Sequence, residues 1–458
     1  MLPQFQSIHF IGICGTAMAS VAAALKEQGV RVTGSDENVY PPMSTFLNEC
    51  GVDVSAGYHE SNIDYEPELV VVGNAISRGN PEAEAVLERK LSYCSLPELL
   101  KTVFIKGKRS IVITGTHGKT TTASLLTWVF ESNGFNPGYL IGGIPDNFSQ
   151  GARFTGSEWF IAEGDEYDTA FFDKRSKFIH YLPEIVLINN LEFDHADIFA
   201  DLGQIQTSFR RLVNLVPRNG LLVVNEDDEN ILPLLKTTHC PVKRFGIKGA
   251  ESVEFSDQGA CFNFDGFRFH LPLFGELNVR NALGVIVVGR HCGLSNQQIQ
   301  SGFDTFKGIR RRMEVRGEFQ GVTVVDDFAH HPTAIRETLK AAKLRFPGRR
   351  LWAVFEPRSN TTRRNIFQEQ LADAFFEADF IVLSEVARLD QIPKSERLEP
   401  ETLINKLKLS GKKAAYVLGA EAIVEHLKSR VEPGDVVCVL SNGSFDNIHD
   451  QLLEMLKA

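Results

Sequence analysis

The sequence predicts an α/β protein built as three doubly wound units in series. Three observations predict it. The chain has 458 residues, too many for one core at roughly 150 residues per domain. Short β-branched runs recur along it, several of them ending in a glycine-rich turn that leads into a helical stretch. Its composition, 43% hydrophobic and 23% charged without biased segments, is that of an ordinary globular protein.

The elements follow in order. An apolar run at 7–13 ends in a glycine turn and leads to the alanine-rich stretch 18–25. A second β-rich run, 30–33, is closed by Gly34-Ser35-Asp36, and a third spans 69–72. A basic hinge at 101–109 precedes a strand at 110–114 and another glycine-rich turn into a helix. Further β runs at 159–162, 185–189 and 221–224 alternate with helical segments and predict a second parallel sheet. The arginine run 310–312 marks the next shift, and strands at 322–325, 351–355, 380–383 and 436–440 predict a third. The units are expected at 1–106, 107–311 and 312–458.

Charge and cysteine usage exclude several classes. With 48 Lys plus Arg against 58 Asp plus Glu, the net charge of −10 argues against a nucleic-acid-binding surface. Seven cysteines, an odd number with no C-x-x-C pair, read as reduced, mostly buried thiols, neither a disulfide framework nor a zinc site. No apolar run approaches the ~18 residues that span a bilayer, and no basic residue precedes Lys26 to open a signal peptide. A cytoplasmic protein without membrane insertion is expected. No signal for an oligomeric state is present.

The strongest chemical signal is Ile111-Val-Ile-Thr-Gly-Thr-His-Gly-Lys-Thr-Thr-Thr122. A β-branched strand breaks at Gly115, Gly118 lets the backbone bend its N–H groups around an anion, Lys119 can reach the β/γ-phosphates and Thr120 can ligate Mg²⁺. The spacing departs from G-x-x-x-x-G-K-[ST], with Ile at 113 and the glycine at 115. We read it as an ATP site made by Gly115, Thr116, His117, Gly118, Lys119, Thr120 and Thr121. Gly12-Ile-Cys-Gly-Thr-Ala17, followed by Asp36, looks like a dinucleotide fingerprint, but Cys14 stands where a pyrophosphate needs close backbone approach. It is either a diphosphate site for another nucleotide or a structural turn.

Acidic residues at the carboxyl ends of parallel strands point into the ligand crevice. Glu163-Gly-Asp-Glu-Tyr-Asp168 stands at one such end, where Glu163 can hold Mg²⁺; the bland alternative is a solvated acidic loop. Leu191-Glu-Phe-Asp-His-Ala-Asp197 follows another and offers His195 as a second ligand, though a lone histidine is more often structural. Arg312, in the run 310–312, can neutralise charge on a transferred phosphoryl group, and Asp327 can bond ribose hydroxyls; alone, such a run is more often a surface cluster. In Phe355-Glu-Pro-Arg-Ser-Asn-Thr361, Arg358 can pair with a carboxylate.

Taken together, these elements resemble the Mur ligase family, ATP-dependent amino-acid and peptide ligases of peptidoglycan metabolism, over the whole chain. The resemblance is carried by the N-terminal glycine turn, Gly-Thr-His-Gly-Lys-Thr-Thr, the Glu163 loop, Asp194-His195, Asn278-x-x-Asn281, the arginine run and Asp-Asp-Phe-Ala-His-His-Pro332. It implies a Rossmann-like N-terminal UDP-sugar domain, a P-loop ATPase-like central domain and a Rossmann-like C-terminal domain that takes the peptide and closes on the nucleotide. The strings 163–178, 191–198 and 356–361 resemble the branch that joins UDP-N-acetylmuramate to the tripeptide L-Ala-γ-D-Glu-meso-diaminopimelate in wall recycling. That work feeds peptidoglycan synthesis, cell shape and division.

The implied chemistry is an acyl phosphate, with Lys119, Glu163, His195 and Arg312 catalytic. Thr120, Glu163 and His195 would hold the metal, with Mg²⁺ the cofactor. ATP would also meet Asn278, Asn281, Arg312 and Asp327. Gly12, Gly15, Thr16, Ser35 and Asp36 would meet the UDP-sugar, and His330, Arg358, Ser359 and Asn360 the peptide. Two departures stand out: Leu277 replaces a histidine common in the family, and no lysine lies between Lys177 and Lys236 to serve as the carbamylated metal bridge of several branches. The alternatives are ligation of free L-alanine to UDP-N-acetylmuramate, a non-catalytic UDP-sugar sensor, and an NAD-dependent oxidoreductase. Cys14 and the P-loop disfavour the last.

Overall fold

The structure is a computed structural model that describes residues 5–39, 43–148, 150–387 and 389–457. They form two compact units. The first takes residues up to 192 together with 202–246 and 284–302; the second takes 193–201, 247–283 and the chain from 303 onward.

The first unit carries two sheets. One is built from β1 (Ser7–Ile11), β2 (Arg31–Asp36), β3 (Asp53–Ala56), β4 (Leu69–Val72) and β5 (Tyr93–Ser95), all parallel, in the order β3-β2-β1-β4-β5. Ile8, Phe10 and Ile11 of β1 are fully buried, as expected of a strand covered on both faces. Helices α1 (Thr16–Glu27), α2 (Met43–Glu49) and α3 (Pro81–Glu88) lie between the strands, and α4 (Leu96–Leu99) leaves the last of them. Asn80 caps α3 by accepting the N–H groups of Glu82 and Ala83, with Pro81 at the first position. Ser95 and Glu98 form a capping box on α4.

The second sheet has β6 (Arg109–Thr114) at its centre. β7 (Gly138–Leu140), β8 (Ala152–Arg153) and β9 (Trp159–Gly164) extend it on one side. After the two-stranded hairpin of β10 (Asp168–Ala170) and β11 (Asp173–Ser176), β12 (Pro183–Ile188), β13 (Leu221–Asn225) and β14 (Val242–Phe245) extend it on the other. Its order is β14-β13-β12-β6-β9-β7-β8, parallel except for β8. In both sheets the chain leaves the central strand in opposite directions, which opens a ligand crevice at that strand's carboxyl end.

The second unit holds a three-stranded antiparallel sheet, β15 (Glu251–Ser256), β16 (Gly259–Phe264) and β17 (Phe267–Leu271). Its larger sheet comprises β18 (Glu314–Phe319), β19 (Val322–Asp327), β20 (Leu351–Phe355), β21 (Phe380–Leu383), β22 (Lys413–Tyr416) and β23 (Val436–Leu440), in the order β18-β19-β23-β20-β21-β22. Only β18 runs antiparallel. Apolar clusters cover both faces of this sheet, one around Phe355, Leu371 and Phe375 and the other around Trp352, Val437 and Ile448.

Several local expectations are corrected. The run 69–72 is the fourth strand of its sheet, because the polar edge strand β3 carries too weak a pattern to be seen. Gly34-Ser35-Asp36 does not close β2 but belongs to it; a Cβ at residue 34 would lie 2.5 Å from the Ile13 side chain, so glycine lets the strand pass under the turn. Residues 101–109, expected as a basic hinge, are largely helical. Leu100–Ile105 continues α4 as a π-helical turn that buries Leu100, Phe104 and Ile105, apolar residues that the neighbouring lysines masked. The cysteines form no disulfide, but only Cys438 is buried, the other six being half-buried. No helix among the described residues is long and apolar enough to cross a membrane.

Candidate active site

From β6 the chain turns through Gly115–Gly118 into the helix Lys119–Ser132 (α5). Gly115 has φ +133°, and a Cβ there would stand 2.9 Å from the Asn190 carbonyl oxygen, so a side chain would displace backbone. The turn is pinned by the loop after β12. Thr116 N–H donates to Asn190 O (3.1 Å), His117 N–H to Asn190 Oδ1 (2.7 Å), and Asn190 Nδ2 returns to His117 O (3.0 Å). Glu192 N–H donates to Thr116 Oγ1 (2.8 Å), and the Glu192 carboxylate lies 3.2 Å from the His117 ring. Asn190 lies outside the motifs read from the sequence and Glu192 stands within the string 191–197 without an assigned role, although their place directly after a strand end was a usable signal. The N-terminal amides of α5, which lack intrahelical partners, offer donors to an anion bound at this turn; Thr120 and Thr121 stand in its first turn.

The acidic loop after β9 meets this turn. Glu163 accepts from Thr120 Oγ1 (2.8 Å) with one oxygen and from Gly142 N–H (2.7 Å) with the other. Lys119 is folded back onto its own loop, donating to Gly115 O (2.7 Å) and Thr116 O (3.2 Å) and pairing with Glu166 at 3.0 Å. Burial lowers the pKa of this lysine, but Glu166, Asp165 and Glu163 more than offset it and raise it above the ordinary lysine value. Burial also pushes the Asp165 carboxyl up, while Lys177 and Lys119 hold it down at about 2. Glu166 was not singled out in the sequence; it comes to Lys119 in the loop that follows β9. The hydroxyl of Thr120 beside the Glu163 carboxylate is a pair of hard oxygen donors, the kind that suits Mg²⁺.

At the N-terminal turn, Gly12 and Ile13 donate their N–H groups to Ser35 O (2.8 and 3.0 Å), and Cys14 N–H donates to Asp36 Oδ2 (2.9 Å). Burial first and Asp36 second push the Cys14 thiol up to about 11, so it stays protonated. The Ser35 hydroxyl turns inward and donates to Glu82, a fully buried carboxylate that also takes Asn62 Nδ2 and His59 N–H. Ser35 therefore supports the turn from beneath, and Gly15 and Thr16 lead it into α1.

The remaining predicted residues belong to the second unit. His195 has φ +57°, and its N–H donates to Asp194 Oδ1 (2.7 Å), which also accepts from Thr361 Oγ1 (2.8 Å). Burial raises the Asp194 pKa, but His195, His330 and His331 override it and hold the carboxylate well below its ordinary range. His331 accepts Thr333 N–H at Nδ1 (3.2 Å), so its Nε2 carries the proton toward Phe193 O (3.2 Å). His330 Nδ1 lies 3.1 Å from Phe328 O. Asn360 bonds Asp197 (2.7 Å), Ser359 shares a hydrogen bond with Thr362 (2.7 Å), and Arg358 reaches Glu356 (3.3 Å). Thr361, the last residue of the string 355–361, fastens this loop to Asp194, a role the motif reading did not assign it.

Asn278 and Asn281 sit on one helix face, Nδ2 of the second donating to Oδ1 of the first (3.2 Å). Arg312 stacks over Phe328, 4.6 Å from the ring centre. Asp327 accepts Met313 N–H (2.7 Å), Ala329 N–H (2.8 Å) and Thr338 Oγ1 (3.2 Å); burial raises its pKa more than Arg312 lowers it.

A P-loop set against strand-end carboxylates, in a chain of doubly wound sheets, defines a nucleoside-triphosphate-using α/β enzyme. Three family models match the chain in succession: "Mur ligase family, catalytic domain" at 7–106, "Mur ligase middle domain" at 113–289 and "Mur ligase, glutamate ligase domain" at 311–443. The chain belongs to the Mur ligase family, whose members are ATP-dependent, amide-forming ligases. It is 40% identical to the UDP-N-acetylmuramate–L-alanyl-γ-D-glutamyl-meso-2,6-diaminoheptandioate ligase of Escherichia coli, over 98% of each chain. To the UDP-N-acetylmuramate–L-alanine ligase of Acetivibrio thermocellus it is 32% identical, over 98% of this chain and 96% of that one. The crystal structure of a murein peptide ligase from Psychrobacter arcticus matches with a TM-score of 0.73 at 34% identity, covering 98% of both chains.

Proposed function

We propose that this chain joins UDP-N-acetylmuramate to L-Ala-γ-D-Glu-meso-diaminopimelate with consumption of ATP, as a cytoplasmic step in peptidoglycan recycling. The observation that carries it is the paired set Lys119–Glu166 and Thr120–Glu163 in a chain 40% identical, end to end, to a ligase of that name. Identity of 40% to that ligase against 32% to an alanine ligase, over similar spans, supports the tripeptide over free L-alanine as acceptor.

Both reactants of the first step are anions, so neutralising charge dominates catalysis. Lys119 and the α5 amides hold the γ-phosphate while an oxygen of the muramate carboxylate attacks it and ADP leaves. Thr120 and Glu163, with His195 as the further candidate, would hold Mg²⁺, which when bound supplies positive charge against the phosphates. Arg312 takes up charge on the transferred group, and Asn278, Asn281 and Asp327 position the adenosine. The peptide amine, having lost a proton, then attacks the acyl carbon, and phosphate departs as the amide forms. Gly12, Gly15, Thr16, Ser35 and Asp36 form or support the UDP-sugar turn. His330, Arg358, Ser359 and Asn360 receive the peptide, whose carboxylates suit a guanidinium.

Phosphate release from ATP, with Mg²⁺ and UDP-N-acetylmuramate and either L-alanine or the tripeptide, tests the proposal. Release that depends on the tripeptide is expected. Release with L-alanine alone would assign the chain to de novo synthesis, and no release with either would leave a UDP-sugar sensor.

A further inference from the structure

The hairpin β10–β11 joins the two sheets of the first unit. Phe171 and Phe172 at its tip pack against the apolar cluster of the first sheet that includes Ile11, Val70 and Val72, and Phe172 meets Tyr93 edge-on at 4.9 Å. Its other end returns to the acidic loop. Lys177 N–H donates to Tyr167 O (3.0 Å), Tyr167 N–H donates to Asp165 Oδ1 (3.2 Å), and Lys177 Nζ meets Asp165 Oδ2 at 2.7 Å. Glu163, Asp165 and Glu166 therefore stand against a single P-loop lysine, and the third carboxylate is matched from the hairpin.

We propose that Lys177 is a positioning residue of the phosphate site, holding Asp165 in its own ion pair so that the direct partner of Lys119 is Glu166 and the P-loop lysine remains available to ATP. Without Lys177, the Asp165 carboxylate would turn its field on Lys119, holding the ammonium back from the phosphates and repelling them as well. A site that binds a polyanion beside three carboxylates needs this balance. The hairpin anchored by Phe171 and Phe172 delivers the lysine to a fixed place. The inference rests on reading Lys119 as the phosphate-binding lysine.

The test compares Lys177→Met, Lys177→Arg, Asp165→Asn and the double variant Lys177→Met/Asp165→Asn. It reads ATP affinity and UDP-N-acetylmuramate affinity by calorimetry and turnover by phosphate release. Lys177→Met should weaken ATP binding and lower kcat by about tenfold each, with UDP-N-acetylmuramate affinity within about twofold, the size expected for coupled neighbours. Lys177→Arg should recover most of that loss. Asp165→Asn in the Lys177→Met background should recover most of it too, because the charge that needed a partner is gone. Unchanged ATP affinity in Lys177→Met, or a loss deepened by Asp165→Asn, would overturn the proposal. If Lys177→Met does not fold, the double variant decides: a folded, ATP-binding double variant upholds charge balance, and an unfolded one makes the lysine a purely structural group. Since ATP affinity is read directly, a chain without tripeptide-dependent turnover would still settle the role of the pair, while contradicting the proposed reaction separately.

Discussion

Thr120 and Glu163 illustrate how much of the proposed chemistry sits in two side chains 2.8 Å apart. Glu163→Gln keeps the hydrogen bond and removes the charge that would hold a divalent cation. We expect kcat for phosphate release to fall by roughly 10²–10³-fold, while UDP-N-acetylmuramate affinity, read by calorimetry, stays unchanged. A variant with near-normal kcat would remove Glu163 from the metal site. Asp173, by contrast, is a stability residue. Arg175 forks onto both of its oxygens (2.9 and 2.8 Å), and His180 Nε2 lies at 2.9 Å. The Arg175 fork, against the opposing effect of burial, holds its carboxyl at about 2. In the unfolded chain an aspartate titrates near ~3.9. The folded value is the lower one, so this stabilisation is complete above pH ~4 and is lost as the pH falls toward 2. It amounts to at most roughly 2 kcal/mol, less for screening of the half-exposed Arg175. Asp173→Asn should therefore flatten the acid side of the melting-temperature profile; a profile as steep as wild type would exclude the role.

The elements divide by how local their causes are. The turn into α5 is legible because glycines, a lysine and threonines at fixed offsets are the chemistry itself. The central strands at 110–114, 159–162, 351–355 and 436–440 are legible because burial on both faces demands an unbroken apolar run. Edge strands such as β3, Asp-Val-Ser-Ala, and β22, Lys-Ala-Ala-Tyr, need only one neighbour and carry no such run, so nothing in them announces a strand. The candidate site divides the same way. Lys119, Thr120 and Glu163 could be named from the sequence, whereas Glu166 and Asn190 acquire their partners only through tertiary packing. Ser95, capping α4, was also invisible as a cap, since the π-helical turn after it carries no clear period. Ser95→Ala should cost about 1 kcal/mol, measured as a lower denaturation midpoint; an unchanged midpoint would mean that packing of the turn, not its cap, sets the local stability.

At the scale of the molecule, a chain in two compact units need not unfold in one step. The proposed UDP-sugar turn lies in the first unit, so UDP-N-acetylmuramate should shift the transition of that unit. At 100 times its Kd the added stability is about 2.7 kcal/mol, and scanning calorimetry with and without the ligand reads it. An identical thermogram would contradict binding. The larger sheet of the second unit, meanwhile, terminates on one side in β22, four residues long and preceded and headed by Lys412 and Lys413, and on the other in β18, which alternates Glu314, Arg316 and Glu318 with less polar positions. An outermost strand exposes unpaired amides and carbonyls that can recruit a strand from another molecule. Brevity on one border and fixed charge on the other deny a visiting strand both the length and the desolvated contact it would need, and so keep the sheet from growing between molecules at high concentration.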